Sequence, residues 1–228
     1  MLKKVVVVFV LIVGGFLAFA ATQPGTYHVE RSADIEAPAA IVFAELDDFH
    51  NWQAWSPWEK MDPAMKKTFE GPAGQVGSSY AWEGNKDVGK GRMSVTAVEA
   101  PRRIEYKLEF IEPFAAVASN RFSLAGETTQ KVTWSMDGDK SFPAKVMGIF
   151  MDMDAAIGKD FEAGLLALKS VSETKAKAAA EEAARTQAEA EAAAQAEAAA
   201  AAEAEAAAKI AAEAEAAKGK GKGKRKAK

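Results

Sequence analysis

SFPAKVMGIFMDMDAAIGKDFEAGLLALKSVS, residues 141–172, reads as one long amphipathic helix. Val146, Ile149, Phe150, Met153, Ile157, Phe161, Leu165 and Leu168 recur at steps of three and four and make a single apolar stripe. Lys145, Asp152, Lys159, Glu162 and Lys169 fall on or near the opposite side. Such a stripe must be covered, and the segments before it are the only candidates. Gly164 sits inside the stripe, where a glycine costs about 1 kcal/mol against alanine. Close approach of the helix to whatever covers it would explain that glycine, and Gly158 invites the same reading.

The covering layer reads as an antiparallel sheet. Residues 26–36 alternate Val29, Ala33 and Ile35 with His28, Glu30, Ser32 and Asp34. Pro38 then suits a first helical turn, and Ile41, Val42, Ala44, Leu46 and Phe49 mark a helix of about ten residues. FHNWQAWSPW follows, with Trp52, Trp55 and Trp58 in seven residues; Pro57 and Pro63 allow only short turns there. From Lys66 a meander is expected: 66–70, 78–83 (Tyr80 and Trp82 on one face), 92–99 (Met93, Val95 and Ala97), 103–111 (Ile104, Tyr106, Leu108 and Phe110), 113–125 and 128–136 (Val132, Trp134 and Met136). Clean alternation means one wet and one dry face. Seven strands and a long helix give a two-layer α+β domain, with the sheet wrapped around the helix.

The rest of the chain is appended to that unit. Residues 5–21, VVVVFVLIVGGFLAFAA, form an unbroken apolar run after Lys3 and Lys4. The run is long enough for a membrane span, which needs about 17–25 residues. Ala18-Phe19-Ala20 also fits the small-x-small pattern of a cleavable signal. The retained anchor is preferred, because the run exceeds the short apolar core of a signal peptide. Both readings put the following domain on the outer side under the positive-inside rule. Residues 173–217 hold 26 alanines and ten glutamates against four cations, and read as a solvated helical spacer. It is coiled-coil-like in composition but has no a/d seam. Residues 218–228, KGKGKGKRKAK, are a disordered basic tail of net charge +7. The expected organisation is therefore 1–25 anchor or signal peptide, 26–172 folded domain, 173–217 low-complexity spacer and 218–228 tail.

Several chemistries are excluded or disfavoured. There is no cysteine, so disulfides, thiolate catalysis and zinc–sulfur sites are absent. The chain's net charge is −3, and with 173–217 at −6 and 218–228 at +7 residues 1–172 carry −4, so the folded part is mildly acidic with no broad basic face. Nucleic acid is therefore a disfavoured partner; anionic envelope polymer or lipid at the tail is the better match. Asp47-Asp48 and His50 have metal-ligand chemistry, but adjacent residues rarely converge on one ion and His28 is the only other histidine. Neither a metal nor a cofactor is expected. Gly71, Gly74, Gly77, Gly84, Gly89 and Gly91 lack phosphate-loop spacing and read as turns. No nucleophile–base arrangement can be assembled.

The ordered set Ile35-Glu-Ala-Pro38, Val42-Phe43, Asp48-Phe49, Asn51-Trp52, Trp55-Ser-Pro-Trp58, Gly77 to Gly84, Gly91-Arg-Met93, Pro113-Phe114, Thr133-Trp134 and Gly164-Leu165 resembles the SRPBCC (START-like, helix-grip) superfamily. It is similar in particular to its polyketide cyclase/dehydrase branch, many members of which carry an N-terminal membrane helix. The resemblance implies a curved sheet gripping the C-terminal helix over a hydrophobic cavity; it implies no single reaction. The residues expected to meet a ligand are Tyr80, Trp82, Tyr106 and Trp134 from the sheet and Phe150, Met153, Ile157 and Phe161 from the helix. Plain packing is the alternative for each. The leading expectation is a membrane-anchored binding module for a hydrophobic small molecule or lipid. The alternatives are an envelope tether acting through the spacer and tail, and a cyclase/dehydrase-type enzyme using Asp154, Asp160 or Tyr106 for proton transfer.

Overall fold

The computed structural model describes residues 2–223 of the chain. Helix α1 (Leu2–Thr22) leads into strand β1 (Thr26–Ile35). Helix α2 (Ala39–Asp47) and two 3-10 turns (Phe49–Ala54 and Pro57–Lys60) follow. Then come β2 (Lys66–Glu70), β3 (Ser79–Glu83), β4 (Lys90–Glu99), β5 (Arg103–Glu112), β6 (Ala116–Ala125) and β7 (Gln130–Asp139). Helices α3 (Phe142–Gly148) and α4 (Met153–Gly223) complete the described residues. One seven-stranded sheet forms in the order β1-β7-β6-β5-β4-β3-β2, antiparallel throughout. Only β1 departs from sequence order, pairing with β7. Register shifts between β4 and β5 help the sheet curl.

The alternating strands bury the faces expected of them. Ile104, Tyr106 and Leu108 of β5 and Val132, Trp134 and Met136 of β7 are buried. Phe161, Leu165 and Leu168 of α4 close over them. At Gly164 a methyl group would stand 2.8 Å from the Trp134 ring and 3.2 Å from the Pro57 ring, so the glycine does mark a close approach. At Gly158 the neighbour is the Arg31 guanidinium, which bonds to Asp154 at 3.0 Å and Glu162 at 2.8 Å and ties β1 to the first turns of α4.

The helix expected over 141–172 is two helices. α3 ends at Gly148, and Asp152 opens α4 by accepting from the Ala155 N–H at 3.0 Å, a side-chain cap that starts a new helix. The first half of the stripe therefore turns away from the sheet. Phe150 is 76% exposed and its ring lies 5.8 Å from that of Phe16 in α1. The glycine turns stand with one correction: Gly71, Gly74, Gly77 and Gly89 have positive φ, but Gly91 is inside β4, where a methyl would lie 2.3 Å from the Trp82 ring.

The chain divides into two compact units, Met1–Ala176 and Lys177–Lys228. In the second unit the described side chains are exposed, and Lys177–Glu181, Arg185–Glu189 and Lys209–Glu205 pair at helical spacing. The tail expected to be disordered over 218–228 is corrected in its first half, where the backbone of 218–223 continues α4; residues 224–228 lie outside the described residues.

Candidate functional site

The dry face of the sheet is packed at one end and open at the other. At the packed end Trp55, Tyr106, Phe122 and Trp134 interlock edge to face, and Trp134 stacks on Phe161 at 4.0 Å and 7°. Their polar edges are spent on the same neighbourhood. The Trp52 and Tyr106 side chains both donate to the Leu46 carbonyl, at 3.0 and 2.8 Å, and the Trp55 indole donates to the Glu45 carbonyl at 3.0 Å. These carbonyls lie in the last turn of α2, where the helix has no partners of its own to offer. Trp52 and Trp55 thus close the junction between α2 and the sheet.

At the other end a cavity of about 230 Å³ lies between the sheet, the Trp58 turn and the start of α4. Ligand pockets run from about 300 to 1,000 Å³, so this space suits one or two rings. Its apolar wall includes Tyr80 and Trp82 of β3, Phe110 of β5, Met136 of β7 and Ile157 of α4. Gly91 lets the Trp82 ring lie across β4, and the Trp82 indole donates to the Val88 carbonyl at 3.0 Å.

The polar groups of the wall are few. Glu59 accepts from Lys67 and from the Tyr80 hydroxyl, the latter at 2.9 Å. The Glu59 side chain is almost wholly buried, so the Lys67 ammonium is what makes a carboxylate tolerable there. Burial, and then Glu59, push the Tyr80 phenol well above its ordinary value; burial, Asp137 and Asp139 raise Tyr27. Both phenols keep their protons at neutral pH. Among the described residues, the Tyr27 hydroxyl finds the Met136 sulfur, at 3.5 Å, as its acceptor.

Asn120 is the most specific element. It is fully buried, it lines the cavity, and its side-chain oxygen accepts from the Trp134 indole at 3.0 Å. An indole N–H can only donate, so the amide orientation is set and its NH2 faces elsewhere. That NH2 has no partner among the described residues. A buried unpaired donor costs about 1–3 kcal/mol.

The structure brings together three of the eight residues expected to meet a ligand: Tyr80, Trp82 and Ile157 line the cavity. Trp134, Tyr106 and Phe161 lie beside it in the closed core. Phe150 and Met153 border a separate surface depression with Pro24 and His28, because the break before α4 turns them outward. Among the proposed proton-transfer groups, Asp160 lines the cavity. The Tyr106 hydroxyl donates its hydrogen bond to the Leu46 carbonyl. Asp154 is exposed and held below the ordinary carboxylate value by hydrogen bonds from Arg31. His28 pairs with Asp137 and His50 with Asp48, each at 2.7 Å.

Asn120, Glu59 and Tyr27 escaped sequence reasoning. For Asn120 there was a signal: between Ala118 and Phe122 it is a polar residue on the apolar face of a strand. Glu59 and Lys67 carry none, because eight residues and a change of direction separate them.

A family model described as polyketide cyclase/dehydrase and lipid transport matches residues 26–173. No curated protein matches the chain. Among solved structures, a protein from Chromobacterium violaceum is 14% identical with a TM-score of 0.46, over 66% of this chain and 99% of its own. The ZhuI aromatase/cyclase from Streptomyces sp. R1128 is 16% identical with a TM-score of 0.49, over 65% and 94%. The Aha1 dimer protein from Colwellia psychrerythraea is 17% identical with a TM-score of 0.46, over 64% and 96%.

Proposed function

The chain belongs to the polyketide cyclase/dehydrase and lipid transport family, and on that premise we propose that it is a membrane-anchored, outward-facing module that binds a hydrophobic small molecule or lipid. The observation that carries this reading is the half-filled dry face: an aromatic-walled cavity whose one unpaired buried donor is the Asn120 amide. The ligand class that fits is a compact apolar molecule bearing an acceptor oxygen. Apolar bulk meets Trp82, Phe110 and Ile157, and the oxygen takes the Asn120 N–H.

In this proposal α1 is the anchor and residues 5–21 cross the bilayer. Retention is favoured over cleavage near Ala20, because the end of α1 packs into the domain. Ala20 is buried, and the Lys145 ammonium lies 3.5 Å from the Ala21 carbonyl. The 173–217 segment then serves as a spacer, and the 218–228 tail meets anionic lipid or envelope polymer.

The test is native mass spectrometry of the full chain purified from membranes, beside a Leu108→Trp variant that fills the cavity. An apolar compound is expected on the wild type and absent from a folded variant. If nothing co-purifies and no apolar probe raises the melting temperature, the binding reading fails. Asp160 on the cavity wall supports a second reading, a cyclase- or dehydrase-type proton transfer. Consumption of the bound compound by wild type and not by Asp160→Asn would favour it.

A further inference from the structure

The strand register assigns one end of the sheet a special position. Thr26 of β1 pairs with Asp139, Gly138 of β7 with Ala118, and Ala116 of β6 with Phe110. Lys90 of β4 faces Glu112 and Glu83, and Glu83 faces Lys66. The start of β1, the end of β7, the β5–β6 turn and the β3–β4 loop therefore share one end. α1 enters the domain there, and the Lys140 N–H donates to the Gly25 carbonyl at 2.7 Å, which ties that entry to the end of β7. α3 leaves from the same place and packs on α1.

This end is also where apolar side chains stand in solvent. Ile111, Phe114 and Val117 project from the β5–β6 turn, and Phe142, Phe150 and Met151 from α3 and the segment after it. Phe114 is 80% exposed. Among the described residues, the loops at the opposite end expose one large apolar side chain, Val76. The cavity lies toward the same end, where its lining includes Tyr27, Val88 and Phe110.

We infer that this end of the sheet is a lipid-contacting rim: Phe114, Phe150 and their neighbours enter the bilayer surface beside α1, and the cavity exchanges its ligand with that surface. The inference rests on the reading of α1 as a retained anchor. A transmembrane helix that enters the domain at one end holds that end at the head groups, and clustered exposed apolar residues there gain burial in lipid. Lys140, Lys145, Glu112 and Asp152 stand among them, a mixture suited to head-group depth and not to hydrocarbon. The rim gives an apolar ligand a path from membrane to cavity with no crossing of bulk water.

The chain has no cysteine, so single labels can be placed at will. Full-length Val8→Cys, Phe114→Cys, Met151→Cys and Glu127→Cys, each carrying an environment-sensitive fluorophore, are reconstituted into phosphatidylcholine–phosphatidylglycerol vesicles containing doxyl-labelled lipid. Tryptophan fluorescence confirms that each variant is folded. Severalfold quenching is expected at 8, 114 and 151, with 127 unaffected. Quenching at 8 with 114 and 151 as bright as 127 overturns the rim and leaves the anchor standing. No quenching at 8 removes the anchor reading, and the rim with it.

Discussion

Gly164→Ala tests how closely α4 is gripped. In an exposed helix the substitution would stabilise the protein by about 1 kcal/mol, because alanine loses less backbone freedom. Here the added methyl would sit 2.8 Å from Trp134 and 3.2 Å from Pro57. Trp134 is fully buried, stacked on Phe161 at 4.0 Å, with Phe122 at 4.7 Å and Trp55 at 5.7 Å between ring centres, so it cannot move aside alone. Overpacking a filled core costs about 1–3 kcal/mol, which outweighs the propensity gain and leaves a net loss of about 1 kcal/mol. For a domain of this size that is a fall of about 2–4 °C in melting temperature. Gly158→Ala is the internal control. Its methyl would displace the flexible tip of Arg31 from Asp154 and Glu162, partly exposed pairs whose loss of about 1 kcal/mol is offset by the similar helix-propensity gain, so little net change is expected. Thermal and urea denaturation followed by tryptophan fluorescence measure both. A Gly164→Ala protein as stable as wild type, or more so, would show that α4 does not lie against Trp134 as described.

Cutting the chain after 172 removes Lys175, which meets the buried Glu45 carboxylate at 2.5 Å, and Glu173, which holds the Glu36 N–H at 2.9 Å. A chain ending at Ala176 should melt like the full protein. One ending at Ser172 should lose about 3 kcal/mol, the scale of an orphaned buried charge, and equal stability of the two would refute the pairing. Lys67→Met strands Glu59 and should cost about 3–5 kcal/mol, more than Tyr80→Phe, whose lost hydrogen bond is worth about 1–3 kcal/mol; chemical denaturation of both variants measures the order, and a Lys67→Met loss no larger than that of Tyr80→Phe would refute it. Hydrogen bonds from Arg103, and then Arg121, hold Glu105 below the ordinary value of 4.5. A lowered carboxyl value contributes stability that is complete above the unfolded value and is lost as pH falls through the folded one. Melting temperature should therefore decline on acidification below pH 4.5, less steeply in Glu105→Gln; parallel curves would sink the assignment.

The element order was legible because each element carries its own period. Strands β4, β5 and β7 alternate every second residue, and Phe161, Leu165 and Leu168 mark the gripping face of α4. Gly164 was legible as a close approach because no helix position favours glycine without a neighbour that demands it. The family resemblance pointed to the same architecture. What alternation cannot say is which inward residues meet each other and which meet empty space. Tyr106 and Phe110 lie on one face of one strand, four residues apart; Tyr106 ends in the closed core on the Leu46 carbonyl and Phe110 on the cavity wall. That difference depends on where the Trp52–Trp55 turn and α4 settle along the sheet.

The break at 149–152 was hidden for a related reason. The apolar stripe runs through it unbroken, while the Asp152 cap that divides the helix is a single local hydrogen bond. Periodicity along the chain thus determined the layers of this protein: a seven-stranded sheet, a gripping helix, an apolar leader and a charged alanine-rich extension. Only the tertiary structure decided the site. The unpaired Asn120 amide, the Glu59–Lys67–Tyr80 cluster and the apolar end around Phe114 and Phe150 join residues far apart in the chain, and burial and hydrogen-bond satisfaction are properties of neighbours in space.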